Sequence, residues 1–151
     1  MARYSRQLVV AVPVDEAFDY LSRFSSVVEW DPSVSSARML TPEPVQQGSA
    51  FALDVVFMGR TLPLRYEITE FDRPHRVVLA AENASVRSTD AITVSRDLSG
   101  ATVIDYSADL ALKGLARLAA PVFALALRRI GGRAAEGLLA VLAGRASRPR
   151  P

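Results

Sequence analysis

The sequence predicts an α+β fold in which a curved antiparallel sheet of about seven strands wraps around one long C-terminal helix, with two short helices after the first strand. Three observations carry this. A train of segments with period-2 alternation fills residues 34–113, and turn-forming residues stand at the junctions. A helical segment from Gly114 to Arg145 follows, and it is too apolar to lie exposed. The strands before it are the available cover.

Each element can be justified in order. Residues 3–12 alternate as a strand. Pro13-Val14-Asp15-Glu16 then opens a helix, with acidic side chains in the first turn, where the macrodipole favours them. Ala17, Phe18, Leu21 and Phe24 supply its apolar face. A second short helical piece covers Ser25 to Trp30 and is ended by Asp31-Pro32. Strands are expected at 34–41, 48–57, 60–71, 75–82, 86–98 and 101–113. Between them lie Pro42-Glu43-Pro44 to Gly48, Met58-Gly59, Asp72-Arg73-Pro74-His75, Glu82-Asn83-Ala84-Ser85 and Ser99-Gly100. Hairpins in succession make the sheet antiparallel. No repeat or linker divides the chain, so residues 1–145 are expected to form one domain, with 146–151 a disordered basic tail.

Phasing assigns the faces. Phe51, Leu53, Val55 and Phe57 share one side of their strand, Leu62, Leu64, Tyr66 and Ile68 one side of the next, and Ile104, Tyr106, Ala108, Leu110 and Leu112 one side of the last. At 100° per residue, Ala116, Ala119, Phe123, Leu127, Ile130, Ala134, Leu138 and Val141 form a stripe on the long helix, opposite Arg117, Arg128, Arg129, Arg133 and Glu136. The stripe is rich in alanine, which leaves room above a curved sheet. Pro121 marks either a kink or a late helix start, and Gly131-Gly132 weakens the middle by roughly 1 kcal/mol per glycine. Leu118, Val122, Leu125 and Leu139 fall among the arginines. They either form a homodimer surface or lie under neighbouring loops or the first helices.

Composition narrows the function classes. A net charge of +2 with scattered arginines gives no field of the kind nucleic acid requires, so no nucleic-acid partner is expected. Cysteine is absent, which excludes disulfides, thiolate nucleophiles and cysteine-ligated zinc. His75, the only histidine, falls in a surface turn, so neither a His/Cys metal site nor a Ser–His–Asp triad is expected. Gly131-Gly132 is no phosphate loop, since no Lys-Ser/Thr follows it. No cofactor is expected. The uncharged run Leu118 to Leu127 is about half the ~20 residues that span a bilayer. Arg3-Tyr4-Ser5-Arg6 runs directly into a strand without the pattern of a signal peptide, and the expected location is cytoplasmic.

Several stretches resemble a known family. Val14-Asp15-Glu16-Ala17-Phe18-Asp19-Tyr20-Leu21 followed by Glu29-Trp30-Asp31-Pro32-Ser33-Val34 is similar to the polyketide cyclase/dehydrase-like branch of the START-like (SRPBCC, birch-pollen-allergen) superfamily. So are Gly48-Ser49-Ala50-Phe51, residues 59–69, Gly100-Ala101-Thr102-Val103 and Leu112-Lys113-Gly114-Leu115. The resemblance covers residues 3–143 and implies the helix-grip fold. It also implies a cavity between sheet and helix that holds a lipid, polyketide or quinone-like molecule, and in a minority of members catalyses cyclisation, dehydration or hydrolysis.

The residues themselves suggest how such a cavity is lined. Phe51, Val55, Phe57, Leu64 and Ile92 would form apolar walls, with Phe123 and Leu127 from the helix and Trp30 at the corner. Asp90 shares its phase with Ser88, Ile92 and Val94, so it should face inward, where burial raises a carboxyl pKa and suits it to acid/base work. The alternative is a wet or arginine-paired Asp90 at the strand end. Tyr66 and Tyr106 are the other inward polar tips and could hydrogen-bond a carbonyl, or instead be core tyrosines bonded to water or backbone. Three readings follow: a carrier of a hydrophobic small molecule, which is favoured; a polyketide aromatase/cyclase or dehydratase using Asp90, Tyr66 and Tyr106; and an interaction protein dimerising through Leu118, Val122 and Leu125.

Overall fold

The computed structural model describes residues 2–147. Strand β1 (Ala2–Val10) leads to helix α1 (Val14–Ser22) and a 3-10 helix (Phe24–Glu29). Six strands follow, β2 (Val34–Met39), β3 (Ala50–Phe57), β4 (Arg60–Asp72), β5 (Arg76–Glu82), β6 (Val86–Arg96) and β7 (Thr102–Leu112). A second 3-10 helix (Gly114–Ala119) then enters the long helix α2 (Ala120–Ala146). The strands make one antiparallel sheet in the order β1-β7-β6-β5-β4-β3-β2. Sequential hairpins explain that order except at β1, which returns to pair with β7 from Ala2↔Leu110 to Val10↔Thr102. This is the helix-grip architecture.

Local chemistry sets the register. The β3–β4 hairpin closes with Phe57 opposite Arg60 over the two residues Met58 (φ 50°) and Gly59 (φ 77°). Two positive φ angles give the turn the hand that matches strand twist, and glycine accepts the second at no steric cost. At the far end of β6, Asp97 Oδ1 accepts the Ser99 and Ala101 N–H groups at 2.9 and 3.0 Å and so folds the turn into β7.

The concave face is filled unevenly. At the end where β6 finishes and β7 begins, α1 and the first 3-10 helix pack Phe18, Leu21 and Phe24 onto fully buried Leu79, Ile92 and Ile104. Phe18 meets Phe71 edge-on at 5.4 Å. Helix α2 reaches this half with Leu138 and Leu142, both fully buried, and places Arg145 4.1 Å from the ring centre of Tyr20 on α1. The opposite half, under the first turns of α2, is not filled.

Helix α2 differs from the sequence reading at its start. Ala116 lies within the 3-10 helix and Ala119 is exposed, so the inward stripe begins at Phe123. The 100° phasing fails before Ala120 because those residues follow a tighter turn, and Pro121 stands at the helix N-terminus, where its missing N–H costs nothing. Of the two readings of Pro121, the structure takes the late start. Leu118, Val122 and Leu125 are 86, 55 and 67% exposed, so they do not lie under loops. Ala146 closes α2, while Arg148 to Pro151 of the expected tail lie outside the described residues. No described helix is long and apolar enough to cross a membrane.

Two glycines fix how closely α2 approaches its neighbours. A Cβ on Gly131 would come within 2.6 Å of the Tyr4 ring on β1. A Cβ on Gly137 would overlap the Trp30 carbonyl oxygen, far inside their van der Waals contact distance, and lie 3.0 Å from the carbonyl carbon. The glycine expected only to weaken the helix at residue 131 therefore serves a contact.

Candidate functional site

The unfilled half is a cavity of about 130 Å³ between the sheet and α2. That volume is similar to apolar protein cavities that accept a single aromatic ring. Period-2 alternation on β3 and β4 brings Val55, Phe57 and Leu64 to its walls, and the helix stripe brings Phe123 and Leu127. Trp30, from the turn after the first 3-10 helix, closes one side and meets Tyr106 edge-on at 5.9 Å. Along β3 and β7 exposure rises from buried Leu53 and Ile104 to half-buried Phe57 and Leu110. The cavity thus opens toward the β3–β4 hairpin, where the rings of Phe57 and Phe123 stand 4.8 Å apart.

The inner end is polar. Asp90, 5% exposed, has one carboxylate oxygen bonded to the Tyr106 hydroxyl and the other 3.3 Å from the Ser88 hydroxyl. Ser88 in turn bonds the Tyr66 hydroxyl at 2.9 Å. The cross-strand register makes this chain possible. Residues 66, 81 and 88 line up across β4, β5 and β6, and Asp90 lies diagonally from Tyr106 on β7. Burial pushes the Asp90 carboxyl up to about 6, against the pull of the bonds from Tyr106 and Ser88; the charges of Asp31 and Asp109 add to the rise. Burial also raises Tyr66 and Tyr106, helped in each case by the negative charge of Asp90. A proton on this network at neutral pH therefore resides on a tyrosine or serine before it resides on Asp90.

Two residues expected on the walls are elsewhere. Phe51 and Ile92 are fully buried and belong to the filled half, where Phe51 packs edge-on with Phe24 at 6.4 Å. Both point to the concave face as their phase requires, but one step too deep, beyond Leu53 and Asp90 respectively. Alternation gives the face of a strand and not the depth along it. Conversely, Ser88, Tyr4, Arg6 and Asp31 line the cavity without having been counted as site residues. Ser88 shares the phase of Asp90, and Tyr4 and Arg6 share that of Leu8, so those three were readable. Asp31 lies outside any periodic segment. Its carboxylate accepts the Ser33 N–H and hydroxyl at 2.9 and 2.7 Å, and burial still raises its pKa. On the convex face Asp105 bonds Gln7, Asp109 bonds Arg3 and Asp54 bonds Ser36. His75 is exposed in its turn.

Comparison with known proteins agrees with this architecture. A family model described as "Polyketide cyclase / dehydrase and lipid transport" matches residues 1–146. A search of curated proteins finds no sequence match. Among solved structures, a START superfamily protein from Mycobacterium smegmatis superposes with a TM-score of 0.71 at 16% identity, over 97% of each chain. The Zhui aromatase/cyclase from a Streptomyces species gives 0.73 at 14%, over 97% of this chain and 93% of the other. A protein from Thermus thermophilus gives 0.77 at 13%, over 97% and 99%. At these identities the likeness is one of fold.

Proposed function

Since the chain belongs to the polyketide cyclase/dehydrase and lipid transport family, we propose that it binds and carries a small hydrophobic molecule in the cavity beneath α2. The observation that carries this reading is an unfilled apolar chamber in an otherwise close-packed fold, because interiors rarely leave such space without use. Native mass spectrometry and thermal-shift measurements against lipids, quinones and aromatic polyketides test it. Ala134 lies on the wall and is buried. Ala134→Phe should place a ring in the chamber and weaken binding by roughly tenfold or more, with circular dichroism showing the fold retained. A wild-type protein that binds none of these compounds would overturn the reading.

A second reading, a polyketide cyclase or dehydratase, is favoured by one specific observation: Asp90 bonds Tyr106 directly and reaches Tyr66 through Ser88. Asp90 would remove a proton α to a carbonyl. On taking it up, the carboxyl no longer needs both hydroxyl donors, and a tyrosine O–H becomes free for the developing enolate oxygen. Turnover of a bound polyketide that survives unchanged in Asp90→Asn would end this reading.

Homodimer formation through Leu118, Val122 and Leu125 is the partner we propose, on the strength of their exposure. Light scattering should give a dimer mass that Leu118→Ser with Leu125→Ser converts to a monomer. A wild-type monomer at about 100 µM, far above a micromolar dissociation constant, would remove it.

A further inference from the structure

The inner end of the cavity has a fixed hydrogen-bond polarity, which follows from counting hydrogens. An ionised carboxylate offers lone pairs only. The Tyr106 and Ser88 hydroxyls that bond Asp90 must therefore both donate to it. Ser88 has a single hydrogen, so the 2.9 Å bond to Tyr66 must be donated by Tyr66. All three hydroxyl hydrogens are directed along the network toward Asp90. What this network leaves for a ligand is acceptor capacity, on Asp90 and on the tyrosine oxygens. Asp31 adds a second carboxylate to the same wall. Arg6 also lines the cavity, but it is exposed and is not a partner of Asp90.

We propose that the cavity takes ligands whose buried end donates a hydrogen bond, such as a phenol, an alcohol or a protonated amine, and excludes ligands that end in a carboxylate. The inference rests on the reading of the cavity as a ligand site. A carboxylate pushed inward would set like charges together where water screens them poorly, and the Asp90 network has no hydrogen to offer it. A hydroxyl does better on both counts. It donates to the network, and it brings no charge beside Asp90 and Asp31. With room for about one ring, the natural probe is a substituted benzene.

Isothermal titration calorimetry at about pH 8, where the Asp90 carboxyl, raised to about 6, is ionised, decides the matter. The ligands are 4-butylphenol, its methyl ether, 4-butylbenzylamine and 4-butylbenzoate. The phenol should bind roughly tenfold more tightly than the ether, and the amine roughly tenfold more tightly than the benzoate. Comparing two charged ligands makes desolvation common to both, so their difference reports the sign of the site. In Asp90→Asn the advantage of the amine should shrink to within about threefold. Benzoate binding as well as or better than the amine in the wild type would overturn the proposal, and loss of that preference in Arg6→Gln would place the anchor at the mouth. If none of the four ligands binds, the cavity is not a ligand site, and the proposal falls with that reading.

Discussion

Gly137→Ala is expected to destabilise the protein by about 3 kcal/mol, measured as a shift of the urea unfolding midpoint at unchanged slope. Residue 137 lies inside α2, where alanine is ordinarily the better helix former by roughly 1 kcal/mol. Here the added methyl would collide with the backbone carbonyl of Trp30, which cannot turn aside as a side chain can. Relief requires moving α2 off the corner where Leu138 and Leu142 are fully buried. Gly132, five residues earlier in the same helix, has nothing within 4 Å of its would-be Cβ. Gly132→Ala should therefore stabilise by up to about 1 kcal/mol. If the two variants moved in the same direction, α2 would not be seated on the Trp30 backbone.

Asp90→Asn is expected to be more stable than the wild type by about 3 kcal/mol at neutral and higher pH, and equal to it near pH 4. Burial raises the folded-state pKa of Asp90 to about 6 from an ordinary value of 3.8. Between those values the unfolded chain releases the proton while the folded chain holds it. Stability therefore falls as pH rises through this window, and the loss is complete once the folded carboxyl ionises above pH ~6. Asparagine keeps the shape without the charge: its carbonyl accepts from Tyr106 and its amide faces Ser88. Asp19, Glu43, Glu82, Asp97 and Asp109 are held below the ordinary range by their bonding partners, and they act in the opposite sense at lower pH. They are common to both proteins and cancel in the difference. A difference in unfolding free energy that stays flat from pH 4 to pH 8 would mean that folding does not raise the Asp90 carboxyl above its ordinary value.

The seven strands and the closing helix were legible because alternation, turn residues and an apolar helix reinforce one another along the chain. The same period placed Asp90, Ser88, Tyr66 and Tyr106 on one face, and so the polar end of the cavity was within reach of the sequence. Depth was not. Phe51 and Leu53 carry the same phase and similar hydrophobicity, yet only Leu53 reaches the cavity, since α1 and the first 3-10 helix fill the space over Phe51. That packing depends on how the α1 hairpin folds back, which no local pattern encodes. Gly137 was silent for the same reason, because its meaning lies in a carbonyl more than a hundred residues away. The loop residue Asp31 has no period to read. Phasing of the helix failed before Pro121, where the chain is not yet α-helical, and it passed over Ala135 and Leu142, which are buried.

The two close contacts along α2 have a mechanical consequence. From Gly131 onward the helix rests against Tyr4 and then against the Trp30 backbone, so this stretch behaves as a fulcrum. The free arm runs back toward Ala120 and bears on the sheet through Phe123 and Leu127. Tilting that arm would part Phe123 from Phe57 and lift Leu127 from its buried seat, while Leu138 and Leu142 stay in the filled half. On the proposed reading of the cavity, a ligand could then enter by a local tilt on this joint, with the core still packed.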